Sequence, residues 1–126
     1  DLARREAFAS HDLEVWEFDV LAALLREGPP YQLSPGELTR QTLSTSATMT
    51  NRIDRLEAKG LVKREPNDAD RRGIRVGLTE QGRAQVSAAL ADLLAVEHNL
   101  LAALEPSVRS ELADALRRLL VSFEAH

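Results

Sequence analysis

The hydrophobic pattern of the chain changes its period at Gly60, and that change limits the fold more than any other feature. Upstream, Met49, Ile53 and Leu56 recur at four- and three-residue spacing, which puts them on one face of a helix while Asn51, Arg52, Arg55 and Lys59 project elsewhere. Downstream, Leu61-Val62-Lys63-Arg64 reads as a short strand and Ile74-Arg75-Val76-Gly77-Leu78 as its antiparallel return, with Ile74, Val76 and Leu78 on one face. The composition between them predicts a Pro/Asn/Asp-rich loop over Glu65 to Gly73 that carries Arg71 and Arg72 at its tip. A helix stopped by glycine and followed by a basic hairpin is therefore the centre of the fold.

Local signals place the other elements. Leu13 to Arg26 is apolar on nearly every side, which predicts a helix buried all round. It ends at Gly28-Pro29-Pro30, where glycine offers a left-handed cap and the prolines cannot continue the helix. Ser34-Pro35-Gly36-Glu37 reads as a new start, with serine as N-cap, proline at the first helical position and glutamate reaching back to the cap. This short helix is expected to run to about Thr42. A Ser/Thr-rich turn over Leu43 to Ser46 then leads into the helix that Gly60 stops. Thr79 caps a long helix from Glu80 to about Leu104, and Pro106 opens a last one to about Phe123, with Val108, Leu112, Leu116, Leu119 and Phe123 on one face.

The expected architecture is mainly α with a small β-hairpin wing, an α+β winged helix-turn-helix. One domain fills residues 1–126: a scaffold helix at 12–28, the winged helix-turn-helix at 34–78, and dimerisation helices at 79–126 together with 1–10. The dimer is argued from Val86, Leu90, Leu93, Leu94, Leu100, Leu101 and Leu104, more apolar surface than the short last helix can cover. An internal two-helix core is the alternative.

Charge and composition narrow the function. The 126 residues suit one domain, and the net charge of −4 hides a split: Thr39 to Arg83 holds ten basic residues against six acids, the rest six against fourteen. A basic middle between acidic flanks is the pattern expected when one segment meets a polyanion. The absence of cysteine excludes disulfides and thiol chemistry, and a cytoplasmic location is expected. No apolar run is long enough to span a membrane, and Asp1 to Ser10 fits neither a signal nor a transit peptide. His11, His98 and His126 do not cluster at ligand spacing, so neither a metal nor a cofactor is expected. Nor is an enzyme, because no phosphate loop, nucleophile elbow or paired carboxylates appear.

In a winged helix-turn-helix the second helix fits a major groove roughly 12 Å wide, and an arginine-tipped hairpin can reach the narrower minor groove. Ser46, Thr48, Thr50, Asn51 and Arg55, with Arg71 and Arg72 on the hairpin, are the candidate contacts to double-stranded DNA. The alternatives are a solvated Ser/Thr turn before an ordinary amphipathic helix, and a winged-helix module used for protein contacts. Asp19 is the one charge between Phe18 and Leu25 on the scaffold helix, and a buried carboxylate needs a cation and hydrogen bonds. Arg52 and Arg64 are the expected partners; the other reading is that Asp19 faces water.

Thr48-Met49-Thr50-Asn51-Arg52-Ile53-Asp54-Arg55-Leu56-Glu57, Lys59-Gly60-Leu61-Val62, Asp68-Ala69-Asp70-Arg71-Arg72 and Leu78-Thr79-Glu80-Gln81-Gly82-Arg83 together resemble the multiple antibiotic resistance regulator (MarR) family of winged-helix transcription factors. The resemblance implies a homodimer held by the terminal helices, bound to a near-palindromic operator and usually repressing until a small anionic or phenolic ligand weakens the complex. Trp16-Glu17-Phe18-Asp19-Val20-Leu21-Ala22-Ala23-Leu24, with Gly28-Pro29-Pro30-Tyr31 and Thr50-Asn51-Arg52, is similar to the urate-responsive branch of that family. The resemblance implies a ligand site built from Asp19, Arg52 and Arg64 with a tryptophan from an amino-terminal helix. That tryptophan falls upstream of the segment matching Asp1 to Phe8, so the chain is expected to start after it, either as a fragment or without an ordered first helix. Trp16 is expected to be a core or interface residue instead.

Overall fold

The computed structural model describes residues 2–67, 70–103 and 106–124. Its elements are α1 (Leu2–Ala9), α2 (Val15–Glu27), β1 (Gln32–Leu33), α3 (Pro35–Gln41), α4 (Ser46–Ala58), β2 (Val62–Asn67), β3 (Asp70–Leu78), α5 (Glu80–Ala102) and α6 (Pro106–Glu124). Short-range signals set most of these boundaries. The Ser34 hydroxyl accepts from the Glu37 backbone N–H while the Glu37 carboxylate accepts from the Ser34 N–H, a complete capping box in front of Pro35. Thr45 and Thr79 cap α4 and α5 in the same way through their hydroxyls, accepting from Thr48 N–H and Gly82 N–H. Gly60, at φ +77°, turns the chain out of α4 in a conformation that glycine adopts without penalty.

The hairpin is longer than the sequence suggests. Instead of a loop over Glu65 to Gly73, β2 runs on through Asn67 and β3 begins at Asp70. Two pairings explain the difference. Glu65 is paired in the ladder with Arg75 and Pro66 with Ile74, and the Glu65 carboxylate is held by Gln32 Nε2 and Lys63, so contacts across the sheet support residues whose own preferences favour a turn. The sheet order is β1-β3-β2, which leaves β2 at an edge, where a proline without an N–H costs least. A register irregularity follows between Pro66 and Asn67. The sheet also has a third strand that the sequence pattern does not announce: β1 pairs Gln32 with Gly77 and Leu33 with Val76.

The core lies where α2 meets the helix-turn-helix and the sheet. Val20, Leu21, Leu24, Leu33, Leu38, Met49, Ile53, Leu56, Leu61 and Val76 are buried, so the three apolar positions of α4 point inward as their spacing predicts. The segment at 1–10, expected to belong with the dimerisation helices, contributes α1 over Leu2–Ala9, and Phe8 stacks on Phe18 with ring centroids 4.1 Å apart. The start of α5 is wedged against the end of α4. Thr79 Oγ1 donates to Gly60 O, and a Cβ on Gly82 would lie 2.0 Å from Leu61 O, so only glycine allows this approach.

The far half of the molecule is different. Val86 and Ala89 of α5 are buried and Leu90 and Leu93 pack beside the core, but Leu94, Leu100, Val108, Leu112, Leu119 and Val121 are exposed. Leu104 and the Phe123 side chain lie outside the described residues. Among the described residues no helix is long and apolar enough to cross a membrane.

Candidate nucleic-acid interface and adjoining cleft

Burial of Met49, Ile53 and Leu56 fixes the rotation of α4, and the rotation decides what the helix presents. Ser46, Thr48, Thr50, Asn51 and Arg55 are all exposed. Thr45 Oγ1 donates to Thr48 Oγ1, leaving the Thr48 hydroxyl hydrogen available to an outside acceptor. The Thr50 hydroxyl donates to Ser46 O, which holds it close to the helix surface. The exposed first turn of α4 thus places small hydroxyls at the positive end of a helix, an arrangement suited to phosphate. Arg71 and Arg72 lie on β3 near the turn of the hairpin; their side chains, and all of Asp68 and Ala69, fall outside the described residues.

Arg64 joins the wing to α4. Its guanidinium donates to Glu57 Oε1 at 2.7 Å and to Asp54 Oδ1 at 2.6 Å, and its backbone N–H donates to Glu57 Oε2 at 3.0 Å. Partial burial works to lower the guanidinium pKa, but the hydrogen bonds and charges of Asp54 and Glu57 outweigh it and hold the group above its ordinary value. Arg64 is therefore not the partner of Asp19, and its contacts run to the opposite end of α4.

Asp19 is not the buried partner of Arg52 or Arg64 but follows the other reading and faces water. Its side chain is 47% exposed, so the scaffold helix is not buried all round, and its cation is Arg4 of α1, with Nη2 3.4 Å from Oδ1. The buried carboxylate on α2 is Glu17, two positions earlier and so on a different face of the helix. Glu17 accepts from the Glu14 N–H and from Lys59 Nζ, which also donates to Asp12 O.

A cleft of about 870 Å³ opens between α1, the start of α2 and the α3–α4 turn. Asp19, Arg52, Trp16 and Arg5 contribute its polar and aromatic wall, with Val15, Leu13 and Leu43 as apolar lining. Two of the three residues expected at a ligand site, Asp19 and Arg52, meet here, and Arg64 does not. Trp16, expected in a core or interface, packs against the core on one side and faces this cleft on the other. The guanidinium carbons of Arg52 and Arg55 lie 5.3 Å and 5.2 Å from its ring, and its Nε1–H donates to Glu14 Oε2. Nothing in the sequence marked Arg5 or Trp16 as lining a site, because a tryptophan in an apolar run reads first as core and Arg5 reaches the cleft only through the packing of α1.

A family model described as the MarR family matches residues 11–73. PecS, an HTH-type transcriptional regulator of Dickeya dadantii (strain 3937), is 32% identical over 119 residues, spanning 94% of this chain and 72% of that protein. Among solved structures, a mutant of MarR from E. coli complexed with operator DNA superposes with a TM-score of 0.73 at 26% identity, covering 95% of this chain and 84% of that one. A structure of BpsR from Bordetella bronchiseptica, described as a mechanism for regulation of its DNA binding by 6-hydroxynicotinic acid, gives a TM-score of 0.66 at 28% identity, covering 92% and 84%.

Proposed function

The chain belongs to the MarR family of transcriptional regulators, and from that premise we propose that it is a homodimeric repressor of a near-palindromic operator, released by a small anionic aromatic ligand. The observation that carries the DNA reading is the rotation of α4: its apolar residues are buried and Ser46, Thr48, Thr50, Asn51 and Arg55 face outward. Arg71 and Arg72, on β3 near the turn of the wing, are the residues we assign to the minor groove. The dimer is supported by the exposed apolar residues of α5 and α6, notably Leu100, Val108, Leu112 and Leu119. Two-fold symmetry then spaces two α4 helices by about 34 Å, one turn of duplex.

The ligand reading rests on the cleft. Its volume lies within the roughly 300–1,000 Å³ usual for small-molecule sites, and it combines Arg52 with an aromatic ring beside the carboxylate of Asp19. An anion held by Arg52 and repelled by Asp19 gives a differential affinity for two arrangements of α4, which is what release requires. Urate or a related purine is the ligand we assign, from the similarity of Trp16 to Leu24 and of Thr50-Asn51-Arg52 to the urate-responsive branch. BpsR, with its hydroxylated aromatic acid, supports the chemical class.

Selection from a pool of randomised duplexes tests the DNA half of this reading. The expected product is a near-palindrome with half-site centres about 10 base pairs apart; a site without two-fold symmetry would contradict it. Thermal shift with urate, xanthine and simple phenolic acids tests the other half: a rise in Tm that follows ligand concentration identifies the ligand, and a flat response to all of them rejects the cleft.

A further inference from the structure

Trp16 belongs neither to the face of α4 assigned to DNA nor to the charged pair assigned to the ligand, yet it touches both. Its indole is fixed by the hydrogen bond from Nε1 to Glu14, and the two α4 arginines, one helical turn apart, rest on that one ring. Arg52 lines the 870 Å³ cleft, whereas Arg55 lines a neighbouring one of about 580 Å³ beside Lys59 and Glu17. We propose that Trp16 is a positioning residue that sets ligand and DNA against each other: Arg52 and Arg55 share its indole, so an anion that draws Arg52 into the cleft leaves the ring to Arg55.

The sign of the coupling follows from electrostatics. Two guanidinium groups on one ring repel each other and draw on the same π-electrons. When an anion takes Arg52, the repulsion falls and Arg55 is held more firmly on the indole, away from phosphate. In the empty protein Arg55 is more loosely held and exchanges the ring for the duplex. The inference rests on the reading of Arg55 as a DNA contact and deepens it by naming how the site is regulated.

The test needs no identified ligand, because Arg52→Gln imitates withdrawal of Arg52 from the ring. Affinity for a labelled duplex is measured in dilute salt for the full chain, R52Q, W16L and the double variant R52Q/W16L, with W16F and R52Q/W16F as the pair that keeps an aromatic ring. Loss of one charge weakens binding in every background; the expected further loss is about 2–5-fold with Trp16 present, absent in W16L and smaller in W16F. Trp16 is the single tryptophan, so its emission is also expected to change when duplex is added to the native protein and to stay fixed in R55Q. If circular dichroism shows W16L unfolded, the W16F pair decides. An equal R52Q penalty in all backgrounds, with native duplex binding intact, overturns this inference alone. Failure of the native protein to bind duplex overturns the functional reading and this inference with it.

Discussion

The buried carboxylate of Glu17 on α2 lies 2.8 Å from the ammonium of Lys59, the C-cap residue of α4. The pair joins the scaffold to the far end of the DNA-facing helix, and the remaining contacts, Glu14 N–H to Glu17 and Lys59 to Asp12 O, complete it. Replacing Lys59 with Met leaves Glu17 in a buried position without its cation. We expect a loss of about 2–3 kcal/mol in urea unfolding, of which the double variant Glu17→Leu with Lys59→Met recovers more than half, because an apolar pair in a buried site is close to neutral. A double variant no more stable than the single one would show that the pair is not the source of the loss.

The backbone approach at Gly82 leaves no room for a side chain. An alanine there puts its Cβ 2.0 Å from Leu61 O, against backbone that cannot swing aside. Gly82→Ala is expected to cost about 3 kcal/mol or more by displacing the start of α5 from the end of α4. Thermal unfolding with a loss below about 1 kcal/mol would mean that the helix shifts freely.

Arg64 and Arg52 separate the wing from the cleft. Arg64 is held by Asp54 and Glu57, and Arg52 lines the cleft beside Asp19. Calorimetry with urate is expected to give a Kd at least about tenfold weaker for Arg52→Met, the scale of one lost charged hydrogen bond, and a Kd unchanged by Arg64→Met. An Arg64 variant as damaging as the Arg52 one would restore Arg64 to the ligand site.

The proposed dimer draws on the apolar residues left exposed on α6. Leu112→Glu puts a charge among Val108, Leu119 and their neighbours, and sedimentation at micromolar concentration is expected to show monomers where the native chain sediments as a dimer. An unchanged dimer would place the interface elsewhere.

How much of this was legible in the sequence depended on distance along the chain. The capping box of Ser34 and Glu37, the stop at Gly60 and the inward face of Met49, Ile53 and Leu56 rest on residues within one or two helical turns, and the structure keeps them. The extension of β2 through Pro66 was not legible, because its support comes from Ile74 and Arg75 across the sheet. Nor was β1, whose two residues pair only with Val76 and Gly77. Asp19 and Glu17 show the same limit at a finer scale: an acid in an apolar run announces that some charge must be accommodated, but the face of the helix decides which one is buried. The cleft was legible in Asp19 and Arg52, and illegible in Arg5 and Trp16, whose roles depend on how α1 and α2 meet α4.

On the proposed function, two protomers of the native chain hold duplex DNA through exposed cationic and hydroxyl groups. The check is equilibrium titration of a duplex of about 30 base pairs over a range of salt concentrations. Log affinity is expected to fall linearly with log salt, with a slope of about −5 or steeper for roughly six neutralised phosphates, at two protomers per duplex. No binding in dilute buffer, or binding indifferent to salt, would contradict it.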